Sequence, residues 1–393
     1  MERGRLYTCT WGLFLGVLAV LLLHVPVNAS AMTVDAKASI LMEAETGRVL
    51  QEVNAHDKMP PASVTKVMTM LLIYEALDQE RIKWDDMVTV SAHAASMGGS
   101  QVYLEVEERQ SVRDLTKAVV IASANDAAVA MAEFIDGSEE AFVARMNKKA
   151  RELGMENTHF VNACGLDADG HLTTAYDIAL MSRALILKYP DVFKYTTTRL
   201  DSITHKTKRG EEEFGLTNTN KLLRRYAGIT GLKTGSTSQA LYCMSATAEK
   251  DGIQLIAVVM AAPAPDARFD SAVKLLDYGY ANYALIAKEE SGTPMGEVQI
   301  FKGKVESAAV VIKEQTNVLA PKGKHIVVDA DVQMVESLNA PVKAGEHAGE
   351  VIYTWEGEEV GRSELVIVDE ITKASPGDIM GRMFRRWMFV DGA

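Results

Sequence analysis

A serine and a lysine stand three residues apart at the start of a predicted helix. Ser63 follows two prolines, and apolar residues recur at helical spacing from Val67 to Tyr74. Backbone N–H groups at a helix N-terminus favour developing negative charge, and Lys66 falls on the same helix face one turn further on. Because a serine hydroxyl needs an adjacent base to act as a nucleophile, the spacing predicts Ser63 as nucleophile and Lys66 as its general base.

Lys66 can accept a proton only if part of it is neutral near neutral pH. The pKa of a free lysine is about 10.4, and burial or a neighbouring cation lowers it. A downward shift of about three pKa units corresponds to about 4 kcal/mol. Lys233 is the candidate for the second cation, provided that the fold brings it close.

Two further motifs follow along the chain, Ser123-Ala124-Asn125 and Lys233-Thr234-Gly235. A Ser-x-x-Lys motif alone is a weak signal, since a serine often caps a helix. The three motifs in this order are the signature of β-lactamases and penicillin-binding proteins. Their combination therefore predicts acyl transfer through a serine.

Over roughly residues 35 to 285, the chain resembles the D-alanyl-D-alanine carboxypeptidases, the low-molecular-mass penicillin-binding proteins. The segments that carry the resemblance are residues 61–69, 98–100, 123–128, 165–167 with His171, 174–177, 218–223 and 231–235. The resemblance implies an α/β (α+β) fold, in which a β-lactamase/transpeptidase-like catalytic domain with a helical subdomain precedes a small all-β domain and a C-terminal amphipathic helix. The implied boundaries are a signal peptide at 1–31, the catalytic domain at 32–285, the all-β domain at 290–372 and the helix at 375–393.

The resemblance also implies a serine-type carboxypeptidase that removes the terminal D-alanine from peptidoglycan pentapeptide stems, binds penicillin and needs no metal or cofactor. Ser63 would attack the carbonyl of the penultimate D-alanine, and Lys66 would accept its proton. Ser123 would relay a proton towards the leaving amine, and Asn125 would hold the substrate amide. The oxyanion hole would be the backbone N–H groups of Ser63 and Ser236, where losing one donor typically costs about 10²–10³ in rate.

The same resemblance assigns the recognition of the substrate's terminal carboxylate. Lys233 and Thr234 would help to bind it, and Arg268, before the helix predicted to start at Phe269, would assist. Gly235 would let the substrate backbone approach, since a side chain there would block it. Leu241 is a departure, because the family usually has glycine at this position.

The spacing of apolar residues in the rest of the chain predicts the helices and strands that must position these residues. Two strand-like runs around Glu45-Thr46-Gly47 predict a β-hairpin, and residues 60–189 are mainly helical in pattern. Strand character returns at residues 232–235, 241–248 and 253–260. An Asp251-Gly252 turn joins the last two, and a helix is predicted over 269–283.

Short alternating apolar segments between residues 292 and 372 predict the all-β domain. Beyond Ser375-Pro376-Gly377, large apolar residues fall mostly on one helical face and three arginines mostly on the other. Because basic amphipathic helices of this kind lie in bilayer interfaces, this segment predicts binding to an anionic membrane surface. The alternative is a helix docked on the protein's own surface.

The N-terminus has the pattern of a signal peptide. Two arginines precede an apolar run over residues 12–23, and Ala29-Ser30-Ala31 is a typical cleavage site. The run is shorter than the roughly 20 residues that a membrane-spanning helix needs. It predicts export to a peripheral position on the outer face of the cytoplasmic membrane, with an uncleaved anchor as the alternative.

The net charge bears on the possible partners of the chain, and the cysteine content bears on disulfide bonding. The net charge of −12 argues against nucleic-acid binding. Cys164 and Cys243 remain after the predicted cleavage, and the sequence leaves open whether they pair.

Other hydrolases fit the sequence less well. A class A β-lactamase would need a Glu-x-x-Leu-Asn segment between Asn125 and Lys233, which is absent. A zinc peptidase would need a ligand set such as His-Glu-x-x-His, and an esterase would need Gly-x-Ser-x-Gly; neither motif occurs. Two alternatives stay open, a non-catalytic penicillin-binding scaffold and a DD-endopeptidase acting on cross-linked peptides.

Overall fold

The computed structural model describes residues 32–207, 210–324 and 326–388. The predicted signal peptide, residues 1–31, lies outside the described residues. The strands are β1 Ala38–Glu43, β2 Val49–Val53, β3 Met87–Thr89, β4 Arg109–Ser111, β5 Leu200–Thr207, β6 Gly210–Thr217, β7 Ile229–Thr237, β8 Leu241–Lys250, β9 Ile253–Ala262, β10 Tyr283–Ala287, β11 Pro294–Phe301, β12 Ser307–Ile312, β13 Asn317–Pro321, β14 Asp329–Met334, β15 Ser337–Asn339, β16 His347–Trp355 and β17 Glu358–Ile367. The α-helices are α1 Lys66–Asp78, α2 Ala92–Ala95, α3 Val112–Lys117, α4 Asn125–Asp136, α5 Glu139–Glu152, α6 Ala175–Lys188, α7 Phe193–Thr196, α8 Ala267–Asn282 and α9 Pro376–Met388.

An antiparallel five-stranded sheet with the order β2-β1-β9-β8-β7 forms the centre of the N-terminal part. The predicted hairpin is confirmed, since β1 pairs with β2 from Ser39 opposite Val53. The predicted turn between β8 and β9 is also confirmed. Asp251 and Gly252 both have positive φ, at 51° and 77°, as a two-residue hairpin turn requires. Strand β7, which carries the Lys-Thr-Gly motif, lies at one edge of this sheet.

The central strands are covered on both faces. All of β1 and all of β9 except Gln254 are buried, and helices α6 and α8 both contact β9. A strand that is buried on both faces has a continuous apolar sequence, which explains why β9 does not alternate.

Helix α1 is the central helix of the helical region. Its residues are buried without interruption from Lys66 to Ala76, and it contacts α4, α5 and α6. A helix that is apolar on all sides is stable only when other elements surround it. Lys66, which starts this helix, is therefore held in a dry environment.

A hairpin of β5 and β6 was not predicted from the sequence. Its strands pair from Leu200 opposite Thr217, but most of their residues are exposed or half-buried and polar. Ile203 and Leu216 are its buried apolar residues. Two buried side chains do not create the regular alternation from which strands are predicted.

The C-terminal part contains a six-stranded sheet with the order β14-β16-β17-β12-β11-β15, which confirms the predicted all-β region. It has its own apolar core, which includes Val310, Val351 and Leu365. Pairing begins before the predicted boundary at residue 290, because β10 pairs with β13.

Helix α9 ends the described chain and exposes a row of large apolar side chains. The exposed residues are Ile379, Met380, Met383, Phe384 and Trp387. None of the helices in the described ranges is both long and apolar enough to cross a bilayer.

Candidate active site

Ser63 lies in a 3₁₀-helical turn, Ala62–Thr65, and the α-helix begins at Lys66. The sequence predicted a helix N-terminus at Ser63. In the structure this first turn is 3₁₀-helical and not α-helical. Because a 3₁₀-helix has three residues per turn, side chains three residues apart lie directly above one another. The Nζ of Lys66 accordingly lies 3.0 Å from the Oγ of Ser63.

The Lys66 ammonium group has three hydrogen-bond acceptors around it. Besides Ser63, it donates to the Oδ1 of Asn125 at 2.6 Å and to the carbonyl oxygen of Cys164 at 2.7 Å. These bonds use the three donors of the group. Burial lowers the pKa of Lys66 to about 8, although Cys164 and Asp126 act in the opposite direction. The predicted downward shift of the Lys66 pKa is present, and desolvation is its main cause.

Ser123 and Asn125 stand at a break between two helical segments. Ser123 has a left-handed backbone, with φ 64°, at the end of the π-helical stretch Ala118–Ala122. Its Oγ accepts a hydrogen bond of 2.7 Å from the Nζ of Lys233. Asn125 begins α4, and its Nδ2 donates to the carbonyl of Gly98 at 2.7 Å. Both ends of the Asn125 amide therefore bind protein atoms.

Lys233 is buried on β7 and completes a chain of contacts across the site. Its Nζ also donates to the carbonyl of Thr234 at 2.8 Å. Burial, followed by the positive charges of Lys66 and Arg268, holds the pKa of Lys233 well below its usual range. The two buried lysines repel each other, so Lys233 is the nearby second cation that the sequence led us to expect.

Gly235 is required by a contact within the protein. A Cβ atom at this position would lie 2.8 Å from the backbone nitrogen of Ser63 and 2.9 Å from that of Val64. The predicted role of this glycine in the approach of the substrate backbone stays a prediction. The structure adds a second physical reason, because strand β7 packs against the turn Ala62–Thr65 and leaves no room for a methyl group.

Of three further predicted residues, Thr234 and Ser236 belong to the same strand, and Arg268 contacts it from α8. Arg268 is the second residue of α8, so the helix starts before the predicted Phe269, and its Nη1 donates to the carbonyl of Gly235 at 2.9 Å. Burial lowers the pKa of Arg268. The Oγ1 of Thr234 donates to the Oγ1 of Thr219 at 2.7 Å, while Ser236 is exposed.

Several supporting residues were given no role from sequence. Gly165, with φ 88°, packs against the turn Ala62–Thr65 so closely that a Cβ atom would overlap the carbonyl of Ala62. Asp126, next to Asn125, accepts hydrogen bonds from the backbone N–H groups of Val102, Leu104 and Ala127. Glycine followed by Leu-Asp was part of the resemblance, but no pattern indicated these contacts.

The structure explains the departure at Leu241 and shows the state of the two cysteines. Leu241 has φ 55°, a left-handed backbone that favours glycine, which explains why glycine is usual there. Cys164 and Cys243 are both buried free thiols, so they do not form the bridge that the sequence left open. Burial raises the pKa of both, that of Cys243 to about 11.

The comparisons with known proteins agree with this geometry. Residues 25–264 match the D-alanyl-D-alanine carboxypeptidase family, and residues 284–373 match the C-terminal domain of penicillin-binding protein 5. The chain is 40% identical over 361 residues to the D-alanyl-D-alanine carboxypeptidase DacF of Bacillus subtilis, with 92% of each chain covered. It is 33% identical over 376 residues to DacC of Escherichia coli, covering 92% of this chain and 89% of that protein.

Solved structures have the same fold. The peptidoglycan synthesis regulatory factor PBP3 of Streptococcus pneumoniae superimposes with a TM-score of 0.74 at 29% identity, covering 86% of this chain and 100% of that one. Penicillin-binding protein 5 of Haemophilus influenzae gives a TM-score of 0.68 at 30% identity, covering 87% and 99%. With its sequence, its fold and its serine–lysine geometry in agreement, this chain belongs to the D-alanyl-D-alanine carboxypeptidase family of penicillin-binding serine peptidases.

Proposed function

We propose that the enzyme releases the terminal D-alanine of peptidoglycan pentapeptide stems through an acyl-enzyme on Ser63. One observation carries the proposal, the 3.0 Å contact between the Ser63 hydroxyl and the buried Lys66 amine. With a Lys66 pKa of about 8, a substantial fraction of this lysine is neutral between about pH 7 and pH 8. A neutral amine at hydrogen-bond distance can remove the serine proton.

In the acylation step, the Ser63 oxygen forms a bond to the carbonyl carbon of the penultimate D-alanine as Lys66 takes the proton. The backbone N–H groups of Ser63 and Ser236 stabilise the oxyanion. When the intermediate collapses, the amide C–N bond breaks and D-alanine leaves. The hydrogen bond between Ser123 and Lys233 supports Ser123 as the group that passes a proton to the leaving amine.

In the deacylation step, a water molecule attacks the ester while Lys66 accepts its proton, and the serine is restored. A β-lactam would react by the same attack on its ring amide, but no leaving group departs when the ring opens.

The carboxylate of the leaving D-alanine would bind near Lys233, Thr234 and Arg268. The guanidinium of Arg268 keeps its charge at all working pH values. Its Nε is buried and has no hydrogen-bond partner among the described residues. A buried donor of this kind would be satisfied by a bound carboxylate. The same anion would favour the protonated form of Lys233.

Mass spectrometry tests the acyl-enzyme directly. Penicillin should add its full mass to the protein, and an acyl-D-alanyl-D-alanine peptide should release D-alanine. Ser63→Ala should abolish both signals, whereas Ser291→Ala, an exposed serine of the C-terminal part, should leave both intact. A penicillin adduct without any release of D-alanine would instead identify a non-catalytic scaffold.

We also propose that residues 1–31 direct export, that residues 32–285 and 290–372 act as catalytic and all-β domains, and that 375–393 attaches the enzyme to the outer face of the cytoplasmic membrane. The support for attachment is the exposed apolar row of α9 on a helix that also contains Arg382. The free energy falls when large apolar side chains leave water and enter a bilayer interface.

Vesicle sedimentation tests this attachment with the mature full-length chain. Phe384→Ser with Trp387→Ser should weaken binding to phosphatidylglycerol vesicles at least about tenfold, since each side chain contributes about 1.5–3 kcal/mol on burial. Phe301→Ser, which removes a similarly exposed side chain from β11, is the control. Equal binding of all three proteins would show that α9 does not enter the membrane.

A further inference from the structure

The carbonyl that Cys164 offers to Lys66 lies in a segment without regular structure. Residues 161–166 lie between α5 and α6 and belong to no helix or strand. Two carbonyls of this segment nevertheless bind α1. That of Ala163 accepts a hydrogen bond of 2.6 Å from the Oγ1 of Thr69, and that of Cys164 accepts one of 2.7 Å from the Nζ of Lys66. Side chains must therefore fix the orientation of these peptide groups.

Asn162 binds the far side of the peptide unit that contacts Lys66. The carbonyl of Cys164 and the N–H of Gly165 belong to one planar, trans peptide unit, so they point in opposite directions. The N–H group donates to the Oδ1 of Asn162 at 2.6 Å, while the carbonyl accepts from Lys66. This peptide unit is therefore held at both ends, by the general base on one side and by Asn162 on the other.

Asn162 also closes the turn around this peptide unit. Its Oδ1 accepts a second bond, from the backbone N–H of Cys164 at 3.2 Å, and its Nδ2 donates to the carbonyl of Leu166 at 2.9 Å. Asparagine side chains stabilise turns by such bonds to the nearby backbone. Because Cys164 and Gly165 are buried, the loss of the Asn162 side chain would leave their N–H groups unpaired.

The Cys164 carbonyl affects the general base in two ways. It accepts a hydrogen bond from the charged form of Lys66 and therefore favours that form, which opposes the effect of burial. It also orients the amine, because Lys66 has three N–H donors and each is directed by one acceptor. A carbonyl that moved would allow the Nζ to turn away from the Ser63 hydroxyl, which lies 3.0 Å from it.

Other charged or titratable groups also face the Lys66 amine. Asp126 on α4 favours its charge, and Lys233 on β7 opposes it. The Cys164 thiol faces it too, but burial raises the pKa of this thiol and keeps it uncharged near neutral pH. Within the described ranges, the Asn162 side chain bonds to neither Asp126 nor Lys233. A change at Asn162 should therefore reach Lys66 through the peptide unit.

We propose that Asn162 is a positioning residue for the general base: by fixing the peptide unit between Cys164 and Gly165, it holds the carbonyl that orients Lys66 towards Ser63. This inference rests on the proposed function, because it assumes that Lys66 accepts the serine proton. Without the Asn162 side chain the carbonyl can turn away, and the charged amine loses an acceptor. Acylation should then have a lower maximum rate and a midpoint at lower pH.

The test is the pH profile of penicillin acylation of the full-length protein, measured between about pH 6 and pH 9. Asn162→Ala should lower the maximum acylation rate about tenfold and move the midpoint down by at least about 0.5 pH unit. Asn162→Asp keeps the acceptor oxygen, so its maximum rate should stay within about threefold of the wild type and its midpoint should not fall. If Asn162→Ala does not fold, Asn162→Ser, whose hydroxyl makes the same turn more weakly, should show a smaller shift in the same direction.

Asn147→Ala is the matched control. Asn147 holds the chain two residues before Asn162, since its Oδ1 accepts from the backbone N–H of Phe160 at 2.8 Å and its Nδ2 donates to the carbonyl of Phe160 at 2.8 Å. This variant should lower the melting temperature but leave the midpoint of acylation unchanged.

Three outcomes overturn this inference while the carboxypeptidase stands. The first is a profile of Asn162→Ala that coincides with that of the wild type. The second is an equal shift of the midpoint in Asn162→Ala and Asn147→Ala, which would indicate general loosening. The third is a midpoint that falls in Asn162→Asp as it does in Asn162→Ala. A wild-type protein that penicillin does not acylate at any pH overturns the proposed function itself.

Discussion

The Nε2 of His171 lies 2.8 Å from the Oγ1 of Thr65, within the turn that carries the nucleophile. The Nδ1 of the same ring accepts a hydrogen bond of 2.9 Å from the backbone of Val161, so the neutral ring carries its proton on Nε2 and donates to Thr65. Burial lowers the pKa of His171 to about 4. The segment around Val161 and the turn Ala62–Thr65 are therefore joined through an uncharged imidazole.

This arrangement predicts a specific loss of stability in acid. Between about pH 6.5 and pH 4 the unfolded chain binds a proton at His171 that the folded chain does not, so the free energy of unfolding falls as the pH falls, by up to about 3 kcal/mol. Urea unfolding of the wild type and of His171→Gln at several pH values measures this difference, and the variant should lose less. His56→Gln, an exposed histidine, serves as control. Parallel curves for all three proteins would rule out the assigned role.

The acylation rate should depend on pH through Lys66. Because only the neutral amine accepts a proton, the rate of penicillin labelling should rise about tenfold per pH unit below about pH 8 and level off above it. Lys66→Arg should lower the rate by about 10²–10⁴, since arginine keeps its proton. Stopped-flow labelling measures both effects. A rate that does not change between about pH 6 and pH 8 would contradict the assignment of Lys66 as base.

Gly235→Ala should damage the nucleophile turn without unfolding the protein. The added methyl group would press against the backbone of Ser63 and Val64, and we expect acylation to fall at least about tenfold, because misplaced reacting groups lose rate steeply. Gly215→Ala is the matched control, since a Cβ atom at that position on β6 meets nothing within 4 Å. Thermal unfolding should show both variants folded. Normal acylation by Gly235→Ala would mean that the strand and the turn can separate at little cost.

Asp126→Asn should loosen the segment that holds Asn125. The carboxylate accepts backbone hydrogen bonds from Val102, Leu104 and Ala127, and an asparagine amide nitrogen cannot accept. We expect a loss of about 1–3 kcal/mol in the free energy of unfolding, because a buried N–H group is left unpaired. Chemical denaturation measures this value. A variant as stable as the wild type would show that the segment rearranges to satisfy its own donors.

The sequence was sufficient to predict those parts of the fold and the site that depend on local spacing. The pair Ser63 and Lys66 follows from one helical turn, and β8 and β9 follow from apolar runs joined by Asp251-Gly252. Contacts made by backbone atoms far apart in sequence left no such pattern. The Cys164 carbonyl binds Lys66 across 98 positions, and a carbonyl is present at every residue. The β5–β6 hairpin was missed because its exposed strands lack alternation. The contact between Gly235 and the turn Ala62–Thr65 was missed because the packing of that turn is not visible in sequence.

The burial of the two thiols has a consequence for the chemical durability of the site. Thiolates, and not thiols, react with oxidants and alkylating agents, and burial keeps Cys164 and Cys243 protonated. The residue whose carbonyl accepts a hydrogen bond from Lys66 therefore carries sulfur in a weakly reactive form. Oxidants and alkylating agents should modify these two thiols more slowly in the folded chain than in the unfolded chain.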